Sequence, residues 1–243
     1  MFKNFFAKII AVWALILFVF TLLPIAFLMW TIGVFDEPLR TKIFRQISIA
    51  WMSTFFFLTG CRLKVIGKKN FKPGEKYIVT CNHNSLMDVP VATPFIPAAN
   101  KTIAKSSMAK IPLFGLIYKR GSILVNRNDK NSRKDSYRKM RNVLEMGMTM
   151  CIYPEGTRNK TDLPLKEFHD GAFKLAVETG TAIIPALIFH TKKVLPPGKY
   201  FYFWPAKMEL HFLPPVSVSA DDNYKLLNEK IFNLMTQYYE DHI

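Results

Sequence analysis

Acidic residues are scarce in this sequence: 18 Asp and Glu stand against 33 Lys and Arg, a formal net charge of +15. That balance favours anionic partners, either a membrane surface or phosphate-bearing substrates. Nucleic acid is disfavoured, because the basic residues are not interleaved with aromatics and no nucleic-acid-binding motif occurs. Cysteine is also sparse. Cys61, Cys81 and Cys151 form neither a metal-ligand spacing nor a disulfide framework, so no metal site is expected. Cys81 and Cys151 lie in apolar, strand-like runs and read as buried thiols of a reducing, cytosol-facing domain. Internal repeats and low-complexity segments are absent as well.

Apolar residues are plentiful. Half of the 243 residues are hydrophobic and the mean hydropathy is +0.10. Residues 9–35 carry no charge. As a helix this run is roughly 40 Å long, against about 30 Å of bilayer hydrocarbon, enough to span with tilt or to kink at Pro24. It is too long for a signal peptide and no small-x-small cleavage site follows it; a helix buried in a soluble core is the other alternative. Asp36-Glu37-Pro38 breaks the helix, and a second apolar stretch covers 46–59. The two stretches read as a helical hairpin that embeds in the membrane. Arg40, Lys42 and Arg45 in the connection belong on the cytoplasmic side, which favours insertion into one leaflet over a full crossing. Gly60 is the expected boundary between a membrane-embedding segment, 1–60, and a globular domain, 61–243.

Beyond Gly60 the pattern is α/β. Strand-like runs fall at 63–66, 77–81, 102–104, 122–125, 148–153, 182–189 and 208–213. Helices are expected at 132–146, stopped by Gly147, at 170–179 between an Asp170 N-cap and Gly180, and at 221–239. The alternation predicts a mixed, largely parallel sheet flanked by helices. Residues 101–142 hold twelve Lys and Arg against two Asp, either a solvated face or one that meets lipid headgroups.

Three strand ends carry chemistry. After the second run comes Asn82-His83-Asn84-Ser85-Leu86-Met87-Asp88, with Pro90 suited to the first turn of a helix. Asp88 can accept a hydrogen bond from one ring nitrogen of His83 and leave the other as a base. This is the base and orienter of a triad, with the nucleophile left to a substrate. Taken alone, the spacing also fits a capped helix with an incidental His. Ser85 is conceivable as an acyl-enzyme nucleophile, but direct transfer needs none. Gly121-Ser122-Ile123-Leu124-Val125-Asn126-Arg127 ends a strand on a guanidinium that can bind phosphate bidentately. Tyr153-Pro154-Glu155-Gly156-Thr157-Arg158 is a glycine turn with an acceptor, a hydroxyl and a second guanidinium. His190, His211 and His242 are given no role.

In order and spacing, Asn82-His83-x4-Asp88, Gly121-x-Ile123-x3-Arg127, Glu155-Gly156-Thr157-Arg158 and Ile184-Pro185 resemble the glycerolipid acyltransferase family, with similarity to its bacterial 1-acylglycerol-3-phosphate acyltransferases. The resemblance covers most of 63–213, Lys105 and Ile111-Pro112-Leu113 included. It departs from the family at His169-Asp170-Gly171, where a Lys before the Gly is expected. The resemblance implies transfer of a fatty acyl group from acyl-CoA or acyl-carrier protein, as co-substrate, to the hydroxyl of 1-acylglycerol-3-phosphate. The product would be phosphatidic acid, made at the cytoplasmic (inner) membrane by a domain facing the cytoplasm, without cofactor or metal. His83 and Asp88 are then catalytic, and Arg127, Arg158, Glu155, Gly156, Thr157 and Lys105 meet the substrates, with Glu155 alternatively holding Arg158 or another site group in place. Another lysophospholipid or aminolipid acceptor, hydrolysis, or non-catalytic lipid binding are the alternatives.

Overall fold

The computed structural model describes residues 2–199 and 201–243. In chain order the helices are α1 (Phe2–Thr31), α2 (Leu39–Leu58), α3 (Asp88–Ala92), α4 (Phe114–Gly121), α5 (Lys130–Glu145), α6 (Gly171–Thr179), α7 (Thr191–Val194) and α8 (Tyr224–Glu240). The strands are β1 (Arg62–Ile66), β2 (Ile78–Cys81), β3 (Asn100–Lys105), β4 (Ser122–Val125), β5 (Thr149–Ile152), β6 (Ile183–Phe189) and β7 (Lys207–Phe212). They form one sheet in the order β1-β7-β6-β2-β5-β3-β4. Only β6 and β7 pair antiparallel. Each strand-like run became a strand within one or two residues of its expected limits. The short α4 was not foreseen, because two glycines in eight residues hide its helical period. Asp170 stands at the start of α6 without capping it; its carboxylate accepts from Asn228 of α8 instead.

The central strands β2, β5 and β6 are buried along their whole length, as strands covered on both faces must be. Alternate side chains feed two separate apolar clusters. Val79, Cys81 and Cys151 point to a layer with α1 and α2. Ile78, Met150 and Ile152 point to a layer with α5, α6 and α8. The second layer is a conventional amphipathic one, burying Met140, Val143 and Leu144 from α5.

The first layer is different. Its helix α1, with the short turn that follows it, is long and apolar enough to cross a membrane over Phe2–Val34, yet it lies along the α/β body. Near its start the Ala7 carbonyl accepts from the Phe203 N–H, and near its end the Met29 carbonyl accepts from Arg120 Nε. Between them Trp51 Nε1 of α2 donates to Thr21 Oγ1 at 2.9 Å. The outer face of α1 leaves Phe5, Trp13, Ile16, Phe20, Phe27 and Trp30 half or more exposed. The chain changes from helix to strand at Gly60, but the packing does not divide there. Trp51, Phe55 and Phe56 share one apolar cluster with Val79, Ile184 and Met208 of the sheet.

Glu37, read as part of a helix breaker, ties this layer to the sheet. Its Oε1 accepts from Lys101 Nζ of β3 at 2.7 Å and from Arg40 Nε at 3.0 Å, and its Oε2 accepts from Thr41 Oγ1 at 2.6 Å. Burial alone would raise its pKa, but the Lys101, Thr41 and Arg40 donors outweigh it and bring the value from 4.5 down to about 2. The stabilisation is therefore complete above pH 4.5 and is lost as pH falls toward 2. Glu37→Gln is expected to cost on the order of 1–2 kcal/mol, allowing for solvent screening, and to lower Tm by about 2–8 °C at neutral pH. Melting curves should converge with wild type as the pH approaches 2; a constant gap at all pH values would contradict the assignment.

Candidate active site

Strand β2 ends beside β6, and Asn82 fastens the two. Its Nδ2 donates to the Ile188 carbonyl at 3.1 Å and its Oδ1 accepts the Ile188 N–H at 2.7 Å. The next residue, His83, is held by its main chain on both sides. Its N–H donates to Glu155 Oε1 at 2.6 Å, and its carbonyl accepts the Asn159 N–H at 2.6 Å. The ring lies against Tyr153, with centroids 4.6 Å apart.

Asp88 opens α3 and is wholly buried. Its Oδ2 meets His83 Nδ1 at 2.8 Å and also accepts the N–H groups of Asn84 and Ser85. Its Oδ1 accepts from Thr191 Oγ1 at 2.6 Å. A carboxylate satisfied in this way holds the Nδ1 proton of His83 and leaves Nε2 as the free base. His83 is on the wall of a groove of about 1300 Å³. The pair foreseen from sequence is thus assembled, and it has a third member that sequence did not indicate. Thr191 is far along the chain and belongs to no motif; only the pairing of β2 with β6 brings it to Asp88.

The groove has two arms. Arg127, Arg158, Lys105, Lys160 and Lys166 make a cationic rim, with Gly156 and Thr157 between them. The other arm runs between α1 and α2 and is lined by Ala14, Phe18, Trp51 and Phe55. Arg127 donates from Nη1 to the Gly156 carbonyl, so it also braces that turn. Arg158 is half-buried and makes no side-chain hydrogen bond among the described residues, which leaves its fork open to a ligand. Lys166, not foreseen, donates to Thr157 Oγ1 at 2.7 Å. Gly156 has φ +67°, and His169 packs so closely that a Cβ would lie 2.8 Å from its ring. The unfamiliar His169 is thus a wall of this turn.

One expectation is corrected, and one alternative already disfavoured is closed. Glu155 was grouped with residues that meet substrate, but it is 1 % exposed and is not part of the groove wall. Its two oxygens accept the N–H groups of His83 and Lys166, which makes it a positioning residue. Ser85 is not free to act as a nucleophile. Its hydroxyl donates to the Leu195 carbonyl at 2.7 Å and accepts the Met87 N–H, and the residue is fully buried. Among the described residues no cluster of three or more His, Cys, Asp or Glu is placed to hold a metal ion.

The fold is shared with a solved structure, titled as the 1-acyl-sn-glycerophosphate (LPA) acyltransferase PlsC from Thermotoga maritima. The TM-score is 0.79, over 99% of this chain and 96% of that one, at 22% sequence identity. The chain belongs to the Acyltransferase family, whose model matches residues 62–189, more than half of its length. Proteins named 1-acyl-sn-glycerol-3-phosphate acyltransferase are among its relatives. One from Saccharomyces cerevisiae is 28% identical over 76% of this chain and 63% of its own length. One from Helicobacter pylori is 33% identical over 58% of this chain and 59% of its own. The chain spans about half to two thirds of the length of the curated relatives it matches.

Two outcomes follow from the geometry. Thr191→Val removes one donor from a buried carboxylate, a loss of roughly 1.5–3 kcal/mol, and should lower kcat about tenfold or more without moving the acceptor KM. Thr191→Ser should restore it, and an unchanged kcat in the valine variant would show that Asp88 does not depend on this hydroxyl. For Glu155, burial outweighs the two N–H donors and raises the pKa from 4.5 to about 7. Between these values the folded protein holds a proton that the unfolded chain has lost, so this group makes stability fall as pH rises through the window. Glu155→Gln should abolish that component, read as Tm against pH; identical slopes for the two proteins would refute it.

Proposed function

We propose that the protein transfers a fatty acyl group from a thioester, acyl-CoA or acyl-carrier protein, to the free hydroxyl of 1-acylglycerol-3-phosphate, giving phosphatidic acid. The observation that carries this reading is a single groove in which His83 stands between a cationic rim and an apolar arm. A lysophospholipid has the matching parts: a phosphate, a hydroxyl and a chain.

In this reading Arg127 and Arg158 take the acceptor's phosphate, which fixes the distance from its hydroxyl to His83. His83 Nε2 removes the hydroxyl proton as the oxygen adds to the thioester carbonyl. Asp88 steadies the imidazolium. The tetrahedral adduct then collapses, the C–S bond breaks, and the departing sulfur takes the proton from His83. The apolar arm receives an acyl chain. Phosphates on the donor, or acidic groups of a carrier protein, would meet cations that face water. Lys130, Arg133 and Lys134 of α5 fit that role, because the sheet separates them from α1.

The reading includes a membrane. The exposed apolar face of α1, pinned to the body at both ends, suits a helix sunk flat into one leaflet rather than one that crosses. The three free, buried cysteines support the cytoplasmic face of the cytoplasmic membrane as its place.

Purified protein with labelled acyl-CoA or acyl-carrier protein and a panel of lyso-acceptors tests the reaction. His83→Ala should lose ~10²–10⁴ in rate. Release of free fatty acid without acceptor would identify a hydrolase instead. Arg158→Lys keeps the charge and loses the fork, so the acceptor kcat/KM should fall by about 10- to 150-fold with little change in the donor KM. A change confined to the donor KM would assign the arginine to the donor's phosphate.

A further inference from the structure

A second cavity, of about 810 Å³, lies at the opposite end of the sheet from His83. Its walls come from the first turns of α2, from the segment before β2 and from the residues just ahead of β3 and β5. Lys42, Arg45 and Lys72 line it, with Glu75 as the one acidic residue. Three cations against one carboxylate give the cavity a net positive charge, and Glu75 forms no ion pair with any of the three among the described residues.

Arg45 is the informative member. A half-buried cation normally has a carboxylate partner, since desolvation without compensation is costly. One turn earlier the rule is kept: Arg40 and Lys101 share Glu37. Arg45 is half-buried and has no acidic partner among the described residues; Nε donates to the Ile96 carbonyl. Burial correspondingly lowers its pKa. The missing counter-charge is a place for an anion, and a guanidinium is shaped for phosphate.

The surroundings indicate the kind of anion. The turn between α1 and α2 exposes Val34 and Phe35, the first residue of α2 exposes Leu39, and Pro38 of the turn is part of the cavity wall. Cations beside exposed apolar side chains suit a molecule that is anionic at one end and aliphatic at the other. We propose that this cavity is a second phosphate site, distinct from the catalytic groove, that holds the headgroup of an anionic membrane phospholipid. It rests on the proposed function only for the placement of α1 and α2 in a leaflet. A lipid held there would fix the depth and tilt of this layer without taking part in acyl transfer.

The test is native mass spectrometry of the full chain in detergent, titrated with short-chain phosphatidylglycerol, phosphatidylcholine of the same chains, or inorganic phosphate. The expected result is one phosphatidylglycerol adduct that survives Arg158→Ala. Lys42→Gln with Lys72→Gln, both at exposed positions, should weaken it roughly 30-fold, at about 1 kcal/mol per cation. Equal binding of phosphatidylcholine, an unchanged double variant, or loss of the adduct on Arg158→Ala would overturn the site. Inorganic phosphate binding as tightly as phosphatidylglycerol would overturn the lipid as its occupant. Acyl transfer to soluble short-chain acceptor should be unaltered in the double variant. Because the adduct is read without turnover, failure of this site and failure of the proposed reaction are separately visible.

Discussion

The carboxylate of Asp88 has no contact with water, and that constraint orders much of the structure around it. A buried charge must be met by donors on its own terms. They come from His83, from two main-chain N–H groups of the same loop and from Thr191 after β6. The last requires β2 and β6 to be neighbours in a fixed register, which Asn82 secures through both hydrogen bonds to Ile188. On the other side β5 is also a neighbour of β2, and it carries Glu155 to the His83 main chain. His83 is therefore held through its neighbours, by three adjacent strands rather than by one flexible loop.

The sheet also keeps two kinds of surface apart. One face is covered by α1 and α2, whose outer side is apolar and aromatic. The other is covered by α5, α6 and α8, and α5 presents a cationic exterior. The groove lies where the first layer meets the strand ends, so it shares an apolar wall with that layer while its rim is cationic. One cavity can then accommodate both ends of an amphiphile.

What the sequence revealed was local. The His83–Asp88 pair could be read because five positions and one turn contain it, and the strands because buried parallel strands are continuous apolar runs. The helix α4 was hidden by Gly115 and Gly121 within so short a segment. Thr191 and Asn82 act through partners more than a hundred positions away, which no spacing encodes. Glu155 was legible as a motif residue that could hold a site group in place, but its partners were not, because it grips main-chain N–H groups that have no signature in side-chain identity. The packing of α1 and α2 into the sheet was concealed by their hydrophobicity, which serves a protein core and a bilayer equally well.

The position of the groove has a kinetic meaning. Its apolar arm is bounded by Ala14 and Phe18 of α1, the helix that rests in the leaflet under the proposed function. On that function, an acceptor that entered along this arm would not pass through water. The enzyme then samples a two-dimensional solution. Occupancy is governed by the mole fraction of acceptor in the surface, so inert lipid acts as a diluent while added buffer does not.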